Sequence, residues 1–344
     1  VAGMERLRRE CRAEPRLWRR FRPLLLEQRA SYEEALAVLP REMGDRLRLH
    51  VLQLYQRRDS SLDGATKLLF RTNDGTLIET VILRIATGRT TLCVSSQAGC
   101  AAGCAFCATA QMGLARQLTP AEIVDQVVQA RQLVAGEGRR IRNIVFMGMG
   151  EPLHNEEALY KALEALIAPE MMHHAPGRIL VSTVGVPAAM LRFARRFPAV
   201  NLALSLHSVD QQVRKSLIPV ARKHPVIDLR EALTAVQRIQ NAARGGRPAS
   251  VMIEYLMLAG LNDRPDDAAA LAAWLKGLTV HVNLIPLNPI AGETRLRGSS
   301  QAVRERFAGQ LKEAGLSTTI RYSLGADVAA ACGQLVQEAK RRGR

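Results

Sequence analysis

The sequence predicts an α/β fold: a partial (β/α)6 barrel with a small N-terminal helical domain and a C-terminal extension. Three observations carry this. From Cys93 onward, short apolar and often β-branched segments alternate with amphipathic stretches, the pattern of βαβ units on a parallel sheet. About six such units recur, two short of a closed eight-unit barrel. No glycine fingerprint follows the first strand and no Gly-Lys-Ser/Thr phosphate loop is present, so the nucleotide-binding doubly wound folds are disfavoured.

Residues 1–60 read as a basic helical domain, a candidate RNA-binding unit. Leu recurs at helical spacing among Arg and Glu, punctuated by Pro15, Pro23 and Pro40. Residues 61–92 form a β-hairpin extension, because Asn73-Asp74-Gly75 separates two apolar runs. Residues 93–300 are the partial barrel. Its strands are TLCVSS, IRNIVFMG, RILVSTVG, VNLALSLHS, SVMIEYLML and VHVNLIPLNP. Its helices are PAEIVDQVVQARQLVA, NEEALYKALEALI, PAAMLRFARRF, DLREALTAVQRIQ and DDAAALAAWLKG. Residues 301–344 close the chain with a strand, LSTTIRYSL, and a helix around AAACGQLVQEAKRRGR that carries Cys332.

The 344-residue chain is 47% hydrophobic, enough for a large core with an accessory domain. No run approaches the roughly 18 apolar residues of a membrane span, and the N-terminus lacks the apolar centre of a secretory signal. A cytoplasmic protein without membrane contact is the expectation. Lys and Arg total 48 against 32 acidic residues, a formal charge of +16, which predicts attraction to a polyanion such as nucleic acid.

Four of the six cysteines fall between Cys93 and Gly113. Without a signal peptide, such a cluster argues for metal or redox chemistry over structural disulfides. Cys100, Cys104 and Cys107 are spaced C-x3-C-x2-C in the loop after the first barrel strand, at the end where such barrels bind ligands. Iron–sulfur clusters normally take four thiolates, so three leave one iron open to a small molecule. The competing reading is zinc with a ligand borrowed from His154 or His207, although structural zinc usually takes paired hooks. Polar residues recur at later strand ends: Gly150 and Glu151 in FMGMGEP, Ser182, then Ser205-Leu206-His207, then Asn288. Gly150 permits close backbone approach and Glu151 offers a carboxylate to a cation. Cys93 and Ser95 alternate in a strand that points such pairs to one side.

C-x3-C-x2-C with Phe106 before the last cysteine resembles the signature of the radical S-adenosylmethionine superfamily. TLCVSSQAGCAAGCAFCATAQMG, MGMGEPLHN, STVG, SLHS, IEYLMLAGLND, VNLIPLNP, AACGQL and IETV together resemble the RlmN/Cfr family of radical S-adenosylmethionine RNA methyltransferases. The resemblance spans about residues 62–335. It implies that Cys100, Cys104 and Cys107 hold a [4Fe-4S] cluster whose open iron binds S-adenosylmethionine. It implies that Gly150, Glu151, Ser182, Ser205, Leu206, His207 and Asn288 line the cofactor site. Cys332 would carry the methyl group, Cys93 would resolve it as a disulfide, and Glu79 in IETV would be the general base.

The family's typical reaction methylates C2 of an adenine in 23S rRNA and in certain tRNAs; a sister branch methylates C8. GMGEP is similar to the C2 branch and RFPAVNLALSLHS to the C8 branch; C2 is the reading adopted. The family implies an electron donor such as flavodoxin or ferredoxin, and a monomer. Two other functions remain to be weighed: a radical activase acting on a protein, which needs the cluster but neither Cys93 nor Cys332, and a zinc-containing RNA-binding module.

Overall fold

The computed structural model describes residues 7–26, 32–47, 50–290, 295–322, 324–331 and 333–335. A helical turn at residues 7–10 and the helices α1 (Pro15–Leu26), α2 (Tyr32–Leu36) and α3 (Arg41–Arg46) precede the sheet. Pro15 opens α1, but Pro23 lies inside it. Residues 53–59, expected to be helical, instead form strand β1 (Gln53–Asp59). This strand pairs antiparallel with β2 (Ala65–Arg71), which pairs antiparallel with β3 (Leu77–Arg84). Ladder partners supplied by β2 outweigh a weak local helical pattern. The β2–β3 turn is the one that Asn73-Asp74-Gly75 signals. Gly75 has φ +82° and its N–H donates to Thr72 O at 2.9 Å, while Asp74 accepts from the Thr76 N–H at 3.0 Å.

Strand β4 (Thr90–Cys93) turns the sheet from antiparallel to parallel, pairing with β3 on one side and with β7 (Ile141–Phe146) on the other. Between them lie a two-stranded sheet of β5 (Gln97–Gly99) and β6 (Leu114–Gln117), the short helix α4 (Ala108–Gln111), and α5 (Pro120–Ala135). Alternation then runs α6 (Glu156–Ile167), β8 (Ile179–Thr183), α7 (Pro187–Arg196), β9 (Asn201–Ser205), α8 (Gln211–Leu217), α9 (Val226–Ala243), β10 (Val251–Met257), α10 (Pro265–Leu275), β11 (Val280–Pro286), α11 (Gln301–Glu313) and β12 (Ser317–Ile320). The sheet order is β1-β2-β3-β4-β7-β8-β9-β10-β11-β12, parallel from β4 to β12. Six parallel strands from β4 to β11 make the partial barrel; β12 is a seventh beyond them, and no closure links β12 to β1 among the described residues. Residues 329–331 and 333–335, expected to begin a helix, form none, and residues 332 and 336–344 lie outside the described residues.

Helix α5 fixes the strands that carry the site. Thr119 and Glu122 form a capping box at its start. Gln126 accepts from Thr80 Oγ1 on β3 at 2.7 Å and from the Ser95 N–H at 2.9 Å, and donates back to Ser95 O at 3.0 Å. Further along, Arg131 is fully buried and donates to the carbonyls of Leu26 and Met172, tying α1 to the barrel. No helix among the described residues is long and apolar enough to cross a membrane.

The buried Asp125 carboxylate accepts from the backbone N–H groups of Val51 (2.8 Å) and Leu52 (2.9 Å), where the chain enters β1. Asp125→Ala leaves two donors without their acceptor and is expected to cost on the order of 3 kcal/mol. Urea unfolding should then show a lower midpoint with unchanged slope. An unchanged midpoint would mean that this carboxylate does not anchor the extension.

Candidate active site

Cys100, Cys104 and Cys107 sit on the segment from β5 to α4, above the C-terminal ends of the parallel strands. Backbone bonds place the loop: the Cys100 N–H donates to Gly113 O at 2.9 Å and the Ala105 N–H to Leu217 O on α8 at 2.9 Å. Cys100 and Cys104 are buried, Cys107 half-buried, and all three line one cleft of about 960 Å³. Burial pushes the Cys100 thiol up to about 11 and the Cys104 thiol up further in direction. Thiols in such surroundings give up their protons to a strongly cationic centre, which is what metal ligation supplies.

The donor set discriminates between zinc and a cluster. Among the described residues no three His, Cys, Asp or Glu side chains converge as ligands of a single ion. His207 cannot serve as a fourth ligand through Nδ1, which accepts from the Leu256 N–H at 3.0 Å, and His154 does not line the cleft. A cubane attaches each thiolate to a different iron, so its three ligands need not meet at one point. The three cysteines fit such a cluster with one iron left open.

Around them the strand ends form a polar crown. Gly150 follows β7 with φ +99°, and a Cβ there would lie 2.4 Å from Gln97 Cβ. Gln97 Oε1 accepts from the Glu151 N–H at 2.7 Å. The Glu151 carboxylate was expected to face a cofactor cation. It lines the cleft, but each oxygen also accepts from backbone: Oε1 from the Leu153 N–H (3.1 Å) and Oε2 from the Val184 N–H (2.8 Å). Burial holds this carboxyl up at about 7. Ser182 and Ser205 meet hydroxyl to hydroxyl at 3.3 Å, at the ends of β8 and β9. His207 has φ +59°, its carbonyl accepts from Asn262 Nδ2 at 2.6 Å, and burial brings its imidazole down to about 3, so it stays neutral. Its ring stands edge-on to Phe106 at 4.8 Å and braces the cysteine loop.

Nine predicted residues therefore line one cleft: Cys100, Cys104, Cys107, Gly150, Glu151, Ser182, Ser205, His207 and Asn288. Leu206 does not; it is fully buried and its N–H donates to Glu254 O at 3.0 Å. Cys93 lines an adjoining cleft of about 860 Å³ that shares Met147, Ile285 and Arg321 with the first. Ser95 lines neither cleft; its hydroxyl donates to Glu79 O (2.5 Å) and accepts from the Met149 N–H (2.8 Å). Glu79 is buried on the same sheet face as Cys93, since Val81 pairs with Cys93, and its carboxylate lies 3.5 Å from Lys67 Nζ. Cys332 lies outside the described residues. Its neighbours in sequence do not: Ala331 lines the Cys93 cleft, and Gly333 lines the cysteine cleft. The Gly333 carbonyl accepts from the Ala108 N–H at 2.8 Å, and at φ +82° a side chain there would meet Phe106 O at 3.1 Å.

Sequence reasoning missed three residues. Arg214 on α8 is buried and donates to Ser205 O at 2.9 Å and to the carbonyls of Leu206 and Val184. Nothing in QQVRKSL distinguishes it from a solvated arginine. Glu254 on β10 is buried in the cleft wall; Oε2 accepts from Asn283 Nδ2 at 2.8 Å, and Oε1 has no hydrogen-bond partner among the described residues. An acid inside the apolar strand VMIEYLM was the available signal. Arg321, just after β12, borders both clefts.

Comparison with known proteins agrees with this geometry. The model of the radical SAM superfamily matches residues 94–272. A probable RNA methyltransferase of Rhodopirellula baltica is 54% identical over 98% of this chain and 87% of its own length. A probable dual-specificity RNA methyltransferase RlmN of Moorella thermoacetica is 43% identical over 90% of this chain and 87% of its own. The crystal structure of a radical SAM methyltransferase from Sphaerobacter thermophilus superposes with a TM-score of 0.85 at 40% identity, covering 96% of this chain and 95% of that one.

Glu151 gives the site a pH signature. Its folded value of about 7 lies above the ordinary 4.5, so between those values the folded state holds more proton than the unfolded chain. Its contribution to stability is therefore present at low pH and lost as pH rises through about 7. For the metal-free protein, the stability of wild type relative to Glu151→Gln should fall between about pH 5 and about pH 7. Parallel urea-midpoint curves for the two would rule out a proton held on Glu151.

Proposed function

Because the chain belongs to the radical SAM superfamily, and within it to the RNA methyltransferases of the RlmN type, we propose that it methylates C2 of an adenine in 23S rRNA, in tRNA or in both. The cofactors are a [4Fe-4S] cluster and S-adenosylmethionine. In this reading Cys100, Cys104 and Cys107 hold the cluster, and Gly150, Glu151, Ser182, Ser205, His207 and Asn288 place the S-adenosylmethionine, with Leu206 packed in the core behind them. Glu254 Oε1 adds an acceptor in the same wall for a hydroxyl of that cofactor. When bound, the pair supplies a methyl group to a thiolate and a 5′-deoxyadenosyl radical that removes hydrogen.

Cys332 is the thiol that carries the methyl. C2 of adenine is electrophilic, so direct attack on a sulfonium methyl is closed to it, and a one-carbon unit delivered from cysteine sulfur removes that obstacle. Adding the resulting methylene to C2 joins RNA to protein. The adduct gives up one electron, for which the oxidised cluster would be the acceptor, and its ring proton passes to Glu79. The Cys93 thiolate then attacks the Cys332 sulfur, forming a disulfide and breaking the carbon–sulfur bond, whose electron pair takes up a proton to complete the methyl group. One observation supports this most strongly: the residues flanking Cys332 reach both clefts, Ala331 on the Cys93 side and Gly333 on the cluster side, although more than 200 residues separate them in sequence from Cys107. A radical activase has no use for that convergence.

The basic N-terminal helices, residues 1–60, are proposed as an RNA-binding domain, residues 61–92 as an extension of the sheet, residues 93–300 as the barrel and residues 301–344 as the segment presenting Cys332. A flavodoxin or ferredoxin is the proposed electron donor, and a cytoplasmic monomer the proposed form.

After anaerobic reconstitution, the wild type with S-adenosylmethionine, a reductant and rRNA or tRNA should yield methyladenosine by nucleoside mass spectrometry, and fragmentation assigns C2 or C8. Cys332→Ala should lower product at least a hundredfold. Cys93→Ala should instead accumulate RNA covalently attached to the chain. Full methylation by Cys332→Ala would overturn the cysteine-borne route.

A further inference from the structure

The antiparallel extension carries a feature that the reaction at the two clefts does not use. Paired residues of an antiparallel sheet share a face. Following the register from Cys93 outward, one face presents Cys93 and Val81, then Lys67 and Arg58; beside them stand Glu79, Leu69 and Gln56; further along stand Leu77, Arg71 and Gln53. The opposite face, with Leu68, Phe70, Ile78 and Ile82, packs into the core. Toward Cys93 this face is buried, with Leu69, Glu79 and Lys67 covered and Lys67 Nζ donating to Ala329 O, whereas at its outer end Arg58 and Arg71 are half-buried cations.

At its outer end stands Tyr55. The β1–β2 register slips between Leu54 and Gln56, so Tyr55 is the extra residue of a β-bulge, thrown out at the sheet's edge. The Arg71 guanidinium lies over its ring, 4.2 Å from the centroid, which puts Tyr55 on the same face as Arg71. Tyr55 is 48% exposed. An exposed aromatic ring stacked with arginine is a surface on which an unpaired base stacks at little cost, whatever its identity. β1 lies three strands from β4, about 14 Å at the spacing of neighbouring strands, a gap that a few nucleotides span.

We propose that the outer end of this face is the track for single-stranded RNA flanking the target adenine, with a base stacked on the Tyr55–Arg71 pair and the backbone against Arg58 and Arg71. The proposal rests on the reading of the chain as an RNA methyltransferase and adds the surface that holds its substrate. The occupant is single-stranded because a base to be modified leaves its helical stack, and its neighbours come unstacked with it. RNA is favoured over an acidic peptide because the platform pairs an aromatic ring with spaced cations, on a chain whose formal charge is +16.

The test uses the reconstituted full chain and fluorescence anisotropy with a labelled RNA hairpin bearing an adenine-containing loop, beside a blunt duplex of the same stem. Tyr55→Ala should weaken hairpin binding about 5- to 100-fold, the span of one base–aromatic stack, and leave duplex binding unchanged. Tyr55→Phe should restore it. Arg58→Gln and Arg71→Gln should each lower the log–log salt slope by about one. RNA-independent cleavage of S-adenosylmethionine to 5′-deoxyadenosine should match wild type in all four variants, showing that the cluster site is intact. If wild type methylates RNA while Tyr55→Ala and both arginine variants bind the hairpin within twofold of it, the track is wrong and the function stands. If wild type methylates no RNA, the functional reading fails first. Equal losses on hairpin and duplex would overturn the single-stranded assignment.

Discussion

A parallel sheet ends in backbone groups that its own ladder does not satisfy, and this site depends on how they are satisfied. The ends of β8 and β9 leave the carbonyls of Val184, Ser205 and Leu206 pointing away from their neighbours. One buried guanidinium, Arg214, takes all three. Burial lowers it only to about 10, so it keeps its charge. A lysine offers a point charge and no planar fork, and would leave part of the set unmet. With these ends gathered, Ser182 and Ser205 meet, His207 takes its left-handed conformation, and its ring supports Phe106 beside Cys107. The cysteine loop thus inherits its position from carbonyl chemistry beneath it.

A second constraint acts from the far end of the chain. Gly325 N–H donates to Asp63 at 2.8 Å, Asp327 accepts from Ser60 and Ser61, and Lys67 Nζ donates to Ala329 O at 3.2 Å. Beyond this, Leu335 O accepts from Thr109 Oγ1 at 2.8 Å. Residues 325–331 are therefore tied to the antiparallel extension, and residues 333–335 to the cysteine loop. Lys67 contacts both Glu79 and Ala329, so the residue proposed as base and the chain preceding Cys332 share one cation. The extension is thus tied to the chain that precedes Cys332, the thiol proposed to carry the methyl.

Most of the fold was legible because it is local. The five strands from β7 to β11 and the helices between them follow apolar periodicity that burial on both faces imposes, and Asn73-Asp74-Gly75 encodes its own turn. The cysteine loop was legible because spacing and chemistry coincide. What failed to show depends on contacts distant in sequence. Residues 53–59 hold one leucine, Leu54, at the end of a stretch whose leucines recur at helical spacing, yet β2 makes them a strand. Arg214 earns its role only from three carbonyls that come together in the folded sheet. Leu206 sits between Ser205 and His207 in sequence but faces the core. Glu151 reads as a free carboxylate, whereas two N–H groups that no motif displays already bind it.

Those commitments bear on why three thiols leave an open position. Three cysteines make an open iron only where no protein group fills the fourth place. Near the loop stand several groups able to do so. His207 is turned away by its bond from Leu256, and Glu151 is occupied on both oxygens by Val184 and Leu153. Asn262, which lies against His207, divides its amide between the carbonyls of His207 and Leu256. The same hydrogen bonds therefore commit His207 Nδ1, Glu151 and Asn262 to the backbone and withdraw them from a metal held by the three cysteines. In the proposed cluster the open position depends on these polar ends as well as on the spacing of Cys100, Cys104 and Cys107.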